Sequence, residues 1–461
     1  MNETVQTYLA EAKERQLNEL IDWLKIPSIS TKPEHSADVR QAAQWLVAHL
    51  TQIGLENVEL IETDGQHPIV YADWMHAGED KPVMLVYGHY DVQPVDPLDL
   101  WNSPPFEPTV RGDDLFARGS SDDKGQTLIH IKAIEALLQT EGALPVNVKL
   151  LIEGEEESGG EAIEAYIPAH TNKLSADVCV ISDTGMLSPQ QPVITYGLRG
   201  GWKCEVTVTG PSSDLHSGMY GGVVHNANQA LCEILAALHD QNGRVTVPGF
   251  YDNVTELSGE ERAALAKVPY REAEVMADTG VPAVWGDPDY LVTERIGARP
   301  TLEICGMWGG FITEGFKTVI PSQAHAKISC RLVPNQDPQR IRRLVTAYIQ
   351  QLAPPTVRVK VHLDEGGAPA FVAPIDSAEI QAASRAYAKV FGVEPIFKRE
   401  GGSIPIVNSF ATELNLPVVL MGFGLPDDNL HAPNEKFHLP NFYRGIETSI
   451  AFMHELGQLK G

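Results

Sequence analysis

Val83–Pro94 reads VMLVYGHYDVQP: an apolar run, a glycine, then a histidine and an aspartate two residues apart. A short run without polar alternation predicts a strand buried on both faces, as in a parallel sheet. Comparable runs are VKLLI at Val148–Ile152, VCVIS at Val178–Ser182 and VVLM at Val418–Met421. Between and around them lie helical patterns. Leu17, Leu20, Ile21 and Leu24 recur at helical spacing and predict an opening helix that ends near Pro27. Further helices are expected over Gln126–Gln139, over Ser377–Phe391 and from about Asn441. Strands alternating with helices predict an α/β class, a mainly parallel sheet covered by helices.

The middle of the chain has another rhythm. Cys204–Thr209 (CEVTVT) and Ala324–Leu332 (AHAKISCRL) alternate as strands with one wet face do, and so do Val357, Val359 and Val361. Helical patterns at Val223–His239 and Gln339–Gln351 accompany them. This predicts an inserted α+β domain over 194–372, between two parts of the α/β domain at 1–193 and 373–461. Arg244–Pro300 is loop-rich with short helical pieces.

Bulk properties exclude several partners. The 461 residues carry a formal charge of -26, which disfavours nucleic acid and anionic lipid. Five scattered cysteines without a CxxC pair suit a reducing, cytoplasmic setting. The mixed-charge N-terminus does not read as a signal peptide, and no apolar run approaches the roughly 18 residues of a membrane helix.

The chemistry gathers where the apolar runs end. His89 can offer a ring nitrogen to a metal, with Asp91 placed to hold the other nitrogen. Alone, the pair reads equally well as a hydrogen-bonded histidine at a sheet end. Arg118–Gly125 (RGSSDDKG) puts Asp122 and Asp123 before a helix, where one acid serves as a cap. Gly119 and Gly125 flank the pair as a tightly constrained loop requires. Ile152–Gly160 (IEGEEESGG) holds Glu153, Glu155, Glu156 and Glu157, which repel one another unless a cation is near. On a surface loop such a run would be a solvated face. ISDT places Asp183 after another strand, and Asn429–Glu435 (NLHAPNE) brings His431. Mixed histidine and carboxylate ligands suit zinc, manganese or cobalt. Two divalent ions carry four positive charges. Asp122, Glu157 and Asp183 supply three negatives, leaving one for an anion from solvent.

The ordered set GHYDVQP, GSSDDKG, EGEEESGG, ISDT, DLHSG, CRLVPNQ, GGSIP and HAPNEK resembles the co-catalytic metallopeptidase family. That family includes carnosinase, cytosolic nonspecific dipeptidase, carboxypeptidase G, acetylornithine deacetylase and succinyl-diaminopimelate desuccinylase. The likeness covers nearly the whole chain and is strongest to the dipeptidase branch. It implies that His89, Asp122 and Asp183 hold one metal, and Asp122, Glu157 and His431 the other. Zn²⁺ is the first expectation, with Mn²⁺ or Co²⁺ next. It further implies that Asp91 orients His89, that Glu156 is the general base for a metal-bridged water, and that the Asp122–Asp123 bond is cis. His216 is expected to act across a homodimer interface built from inserted domains. Arg331, Gly402 and Ser403 are expected to meet the substrate's C-terminal carboxylate, with Thr318 and Lys317 in weaker roles. Without the family, His216 reads as a loop histidine, Arg331 as a surface strand arginine and GGSIP as a turn.

The resemblance implies hydrolysis of a dipeptide with a free carboxylate. The alternative is an N-acyl-amino-acid deacylase or desuccinylase on the same metals. A non-catalytic metal-binding or dimerisation protein is disfavoured by retention of both ligands and base. Two departures stand out. Position 155 is glutamate where relatives often carry an apolar residue, a spare charge expected to alter metal affinity. The segment around 365–367 has no histidine where some dipeptidase relatives have one.

Overall fold

The computed structural model describes residues 1–363 and 366–459, so Glu365 of the histidine-lacking segment lies outside the described residues. The chain forms two compact units. One comprises Met1–Tyr196, Ala373–Phe397 and Ser409–Gly461; the other comprises Gly197–Val372 and Lys398–Asn408.

In the first unit the strands lie in the spatial order Glu56–Ile61, Ile69–Trp74, Asn147–Glu153, Val83–His89, Val178–Ile181, Val418–Leu420 and Val193–Leu198. From Asn147–Glu153 to Val418–Leu420 neighbours run parallel, and antiparallel strands flank them on both sides. Every residue of Asn147–Glu153 is buried, as are all but the first of Val83–His89. Burial on both faces is why these runs show no alternation.

Helix Lys124–Glu141 packs on Val83–His89 and against helices Glu3–Leu24 and Leu439–Leu456. It is buried without a break from Lys124 to Leu137, so no one-sided stripe marks it. Its polar side chains find partners. His130 Nε2 meets Ser182 Oγ at 2.7 Å, and His130 Nδ1 meets Ser449 Oγ at 2.9 Å. Parallel register levels the strand ends, pairing His89 with Glu153, Tyr87 with Ile181 and Ile181 with Leu420. The carboxyl edge of such a sheet is where ligands bind in open α/β folds.

The second unit carries an antiparallel sheet in the order Thr301–Gly309, Gln323–Leu332, Gly200–Thr209 and Arg358–Leu363. Burial alternates along Gly200–Thr209, as its sequence predicts. Val206, Val208 and Ile328 share a core with Leu231, Val345 and Ile349 of helices Ala227–Ala236 and Pro338–Leu352. The helix expected over Val223–His239 is shorter because Asn226 caps it, its side chain accepting from the Asn228 amide. Arg244–Pro300 resolves into helices Gly259–Leu265, Glu272–Thr279 and Val292–Gly297 with connecting loops. Among the described residues no helix is long and apolar enough to cross a membrane.

Candidate metal centre

The levelled strand ends of the first unit deliver the ligand candidates. His89 is the last residue of its strand, and Asp122 stands before helix Lys124–Glu141. Glu156 and Glu157 form a helical turn after Asn147–Glu153, and Asp183 follows Val178–Ile181. His431 follows Val418–Leu420 and adopts φ +59°, a left-handed conformation uncommon outside glycine. The loop before the helix is tight for a visible reason. Gly119 has φ +81°, and a Cβ there would lie 2.5 Å from Val92 Cγ1; a Cβ on Gly125 would lie 1.9 Å from the Ser120 carbonyl. The Asp122–Asp123 peptide is cis.

Two groups of ligand atoms converge, each within 4.8 Å: His89, Asp122 and Asp183, then Asp122, Glu157 and His431. Asp122 belongs to both. His89 Nε2 lies 3.2 Å from Asp122 Oδ1, and His431 Nε2 lies 2.9 Å from Asp122 Oδ2 and 3.5 Å from Glu157 Oε1. His89 Nδ1 faces two acceptors, the Asp91 carbonyl at 3.1 Å and carboxylate at 3.4 Å. Nδ1 therefore carries the proton in the neutral ring, leaving the Nε2 lone pair for a metal. His89 Nε2 and Glu157 Oε1 are buried without a hydrogen bond. Buried ligand atoms of this chemistry, left without a hydrogen bond and grouped with other ligand atoms, fit divalent cations.

The electrostatics point the same way. Burial, then the neighbouring Asp122 charge, pushes Glu157 up to about 8. Burial also raises Glu156, and lifts Asp183 well above the carboxylate range. Asp122 goes down despite its burial, because His431 and His89 flank it. His431 rises to about 9 beside Asp122 and Glu157. Carboxylates crowded in low dielectric resist ionising together, and cations between them would relieve the repulsion.

The four glutamates of EGEEESGG take separate paths. Glu153 Oε1 accepts from Tyr87 Oη at 2.6 Å. Glu155 turns to the backbone, accepting from the His67 amide at 2.7 Å and the Ala162 amide at 3.2 Å. Glu155 therefore faces chain amides and belongs to neither ligand group. Glu157 joins the second ligand group and accepts from Gln93 Nε2 at 2.6 Å. Glu156 belongs to neither group. The amides of Glu156 and Glu157 donate to the two Asp91 oxygens at 3.2 and 3.1 Å, and Ser30 Oγ adds a bond of 2.6 Å. Asp91 thus ties the His89 strand end to the glutamate turn.

A third acidic group, Glu19, His49 and Glu135, already encloses a cation. Lys132 Nζ lies 2.5 Å from Glu19 Oε2, 2.6 Å from His49 Nε2 and 2.8 Å from Glu135 Oε2. That cluster is a buried lysine network.

The remaining expected residues are in the second unit. Arg331 Nη1 donates to Ser403 Oγ at 2.9 Å, and the Arg199 amide donates to the Gly402 carbonyl at 3.1 Å. Burial, then the like charge of Arg331, lowers Arg199 to about 10, so two guanidiniums crowd beside Gly402 and Ser403. His216 pairs with Val319 on a short ladder, and the Ser217 amide donates to the Thr318 carbonyl at 3.1 Å. His216 and Thr318 are both exposed. The Gly218 amide donates to His216 Nδ1 at 3.0 Å, so in the neutral ring Nε2 carries the proton and is a donor. Lys317 is exposed, 3.6 Å from Asp214.

Sequence reading missed Ser30, Gln93, Arg199 and Glu435. Gln93 and Glu435 stand inside the motifs GHYDVQP and HAPNEK, which is the signal that marks them. Ser30 and Arg199 carry none.

Comparison with known proteins bears on this arrangement. Residues 85–455 match the model of Peptidase family M20/M25/M40. The Cys-Gly metallodipeptidase of Schizosaccharomyces pombe is 35% identical over 459 residues, 95% of this chain and 94% of the relative. The Beta-Ala-His dipeptidase of Homo sapiens is 32% identical, covering 99% of this chain and 93% of that one. The crystal structure of an M20 family metallo-carboxypeptidase from Sulfolobus solfataricus superposes with a TM-score of 0.85 at 33% identity, over 96% of this chain and 99% of that one. With the family match spanning most of its length, this chain belongs to Peptidase family M20/M25/M40.

Proposed function

We propose that this protein is a metal-dependent dipeptidase, hydrolysing the amide bond of dipeptides with a free C-terminal carboxylate. The observation that carries the reading is the sharing of Asp122 by two ligand groups, with Glu156 outside both. His89, Asp122 and Asp183 would hold one ion, and Asp122, Glu157 and His431 the other. Zn²⁺ is the first choice for this donor set, with Mn²⁺ or Co²⁺ next. When bound, the pair supplies an acidified water and polarises the scissile carbonyl.

The chain's own groups do the rest. Glu156 takes the water's proton and returns it to the leaving amine, a role open to a carboxylate that stands beside both ligand groups without belonging to either. Asp91 keeps the His89 proton on Nδ1. Arg331, with Ser403 and Gly402, receives the substrate carboxylate; a guanidinium fork matches it bidentately. His216 presents an Nε2 proton for the developing oxyanion, and Thr318 stands beside it.

The protein works as a homodimer through its inserted domains. Edge strand Thr301–Gly309 and its surroundings support this, since Ile304, Met307, Ile312, Phe316, Met219 and Val223 all expose their side chains. The described cysteines form no disulfide, which supports a cytoplasmic location.

The test compares hydrolysis of a simple dipeptide with that of its N-acetylated counterpart, using metal-loaded and chelated enzyme. Cleavage of the free dipeptide alone, abolished by chelation, is expected. Preference for the acetylated compound would replace the reading by a deacylase, and turnover that survives chelation would remove the metals from it.

A further inference from the structure

We propose that Glu435 is a positioning residue for the metal centre, its buried carboxylate locking the loop that carries Asp122 to the loop that carries His431. Glu435 is fully buried. Its Oε2 accepts from Arg118 Nη1 at 2.7 Å and from the Gly119 amide at 2.9 Å. Its Oε1 accepts from the amides of Ser121 at 3.0 Å and Asp122 at 3.1 Å. One anion thus gathers three backbone amides from the turn that ends at Asp122, plus a guanidinium.

Arg118 completes the lock. Its Nη2 donates to the Ala432 carbonyl at 3.3 Å, next to His431, and to the Pro94 carbonyl at 3.1 Å, at the end of GHYDVQP. The Ala117 amide donates to the Glu435 carbonyl at 3.1 Å, adding a main-chain tie. The ion pair therefore reaches all three segments that supply His89, Asp122 and His431.

The carboxylate is chemically specific for this task. Four donors converge on two oxygens, each able to accept more than one hydrogen bond. A glutamine has one such oxygen and would turn its amino group toward donors. Charge-assisted bonds to an anion are also roughly twice as strong as neutral ones. Since Asp122 belongs to both ligand groups, a shift in its backbone disturbs both metals.

This inference rests on Asp122 and His431 being ligands, and the test separates the two claims. In the full-length protein, Zn²⁺ affinity is measured by competition with a chromophoric chelator for wild type, Glu435→Gln and Glu435→Asp. kcat and KM for a dipeptide and apo melting temperatures are measured alongside. Glu435→Gln is expected to bind both ions ~10–100-fold more weakly, with kcat reduced and KM little changed. Glu435→Asp, which keeps the charge, recovers part of the loss. Wild-type affinity and kcat in a folded Glu435→Gln protein overturn the proposal, and so does a lowered apo melting temperature with unchanged affinity. If Glu435→Gln does not fold, Arg118→Lys substitutes, keeping the charge but losing the fork. Weakened Zn²⁺ binding supports the lock and unchanged binding overturns it. A wild-type protein that binds no Zn²⁺ would instead sink the metal reading itself.

Discussion

The two units treat charge in opposite ways. In the first, His89, Asp122, Asp123 and Glu435 are buried, and burial forces the carboxylates of Asp123 and Glu435 above their ordinary range. In the second, the core is apolar, and the candidate functional groups His216, Thr318 and Gly402 are exposed. Burying acids is costly unless something cationic joins them, whereas a group meant for substrate or a second subunit must stay reachable. Buried charge therefore marks the unit that carries the candidate metal centre, and exposed candidate groups over an apolar core mark the inserted one.

The comparison can be broken at several points. The largest effect is expected for Glu156→Gln. It would remove the proposed proton acceptor and none of the proposed ligands, so both metals should stay while turnover falls by ~10³-fold, within the usual range for a general base. Metal stoichiometry measured with steady-state rates decides this, and unaltered hydrolysis would remove Glu156 from the mechanism. Next is Arg331→Ala, expected to lower kcat/KM for a dipeptide by roughly 10–100-fold, the cost of a lost charge-assisted pair. A dipeptide amide, lacking the carboxylate, should show almost no further loss. An equal loss on both substrates would mean that Arg331 does not meet the carboxylate.

Metal removal sharpens the contrast by stability. Saturating Zn²⁺ should stabilise the first unit by ~4 kcal/mol for each ion bound at a thousandfold excess over its Kd. Hydrogen exchange should slow in Asn147–Glu153 and Val83–His89 and stay unchanged in Gly200–Thr209. Uniform slowing would refute a metal effect confined to one unit. A monomer made by Phe316→Asp with Ile312→Asp should fold yet be nearly inactive, as read by sedimentation and turnover. A fully active monomer would exclude action of His216 across an interface.

The smallest effect is in pH dependence. Burial lowers His130 to about 4 from 6.5. The unfolded chain then binds the extra proton between those values, so stability rises with pH through that window and falls on acidification. His130 should contribute ~2–3 kcal/mol of this loss between pH 7 and 4, with unaffected stability above 7. A His130→Gln protein should show a flatter acid limb in urea denaturation. An unchanged slope would assign the loss to other groups, His49 among them, which burial also lowers to about 4.

Much of this protein was legible in its residues. Continuous apolar runs gave the parallel strands, and alternation gave Gly200–Thr209 and Gln323–Leu332, because burial on one face or two is written into local periodicity. The ligand candidates stood at the ends of those runs, and the family motifs named them. Tertiary structure decided which acid does what. Nothing local distinguishes Glu155, turned to the His67 and Ala162 amides, from Glu157, aimed at His431. Glu435 meets its amide partners more than three hundred residues earlier in the chain, and Lys398–Asn408 joins the inserted unit from beyond the expected boundary. Periodicity and motif record a residue's near neighbours along the chain. A hydrogen-bond partner or a shared metal ligand exists only once distant segments have met.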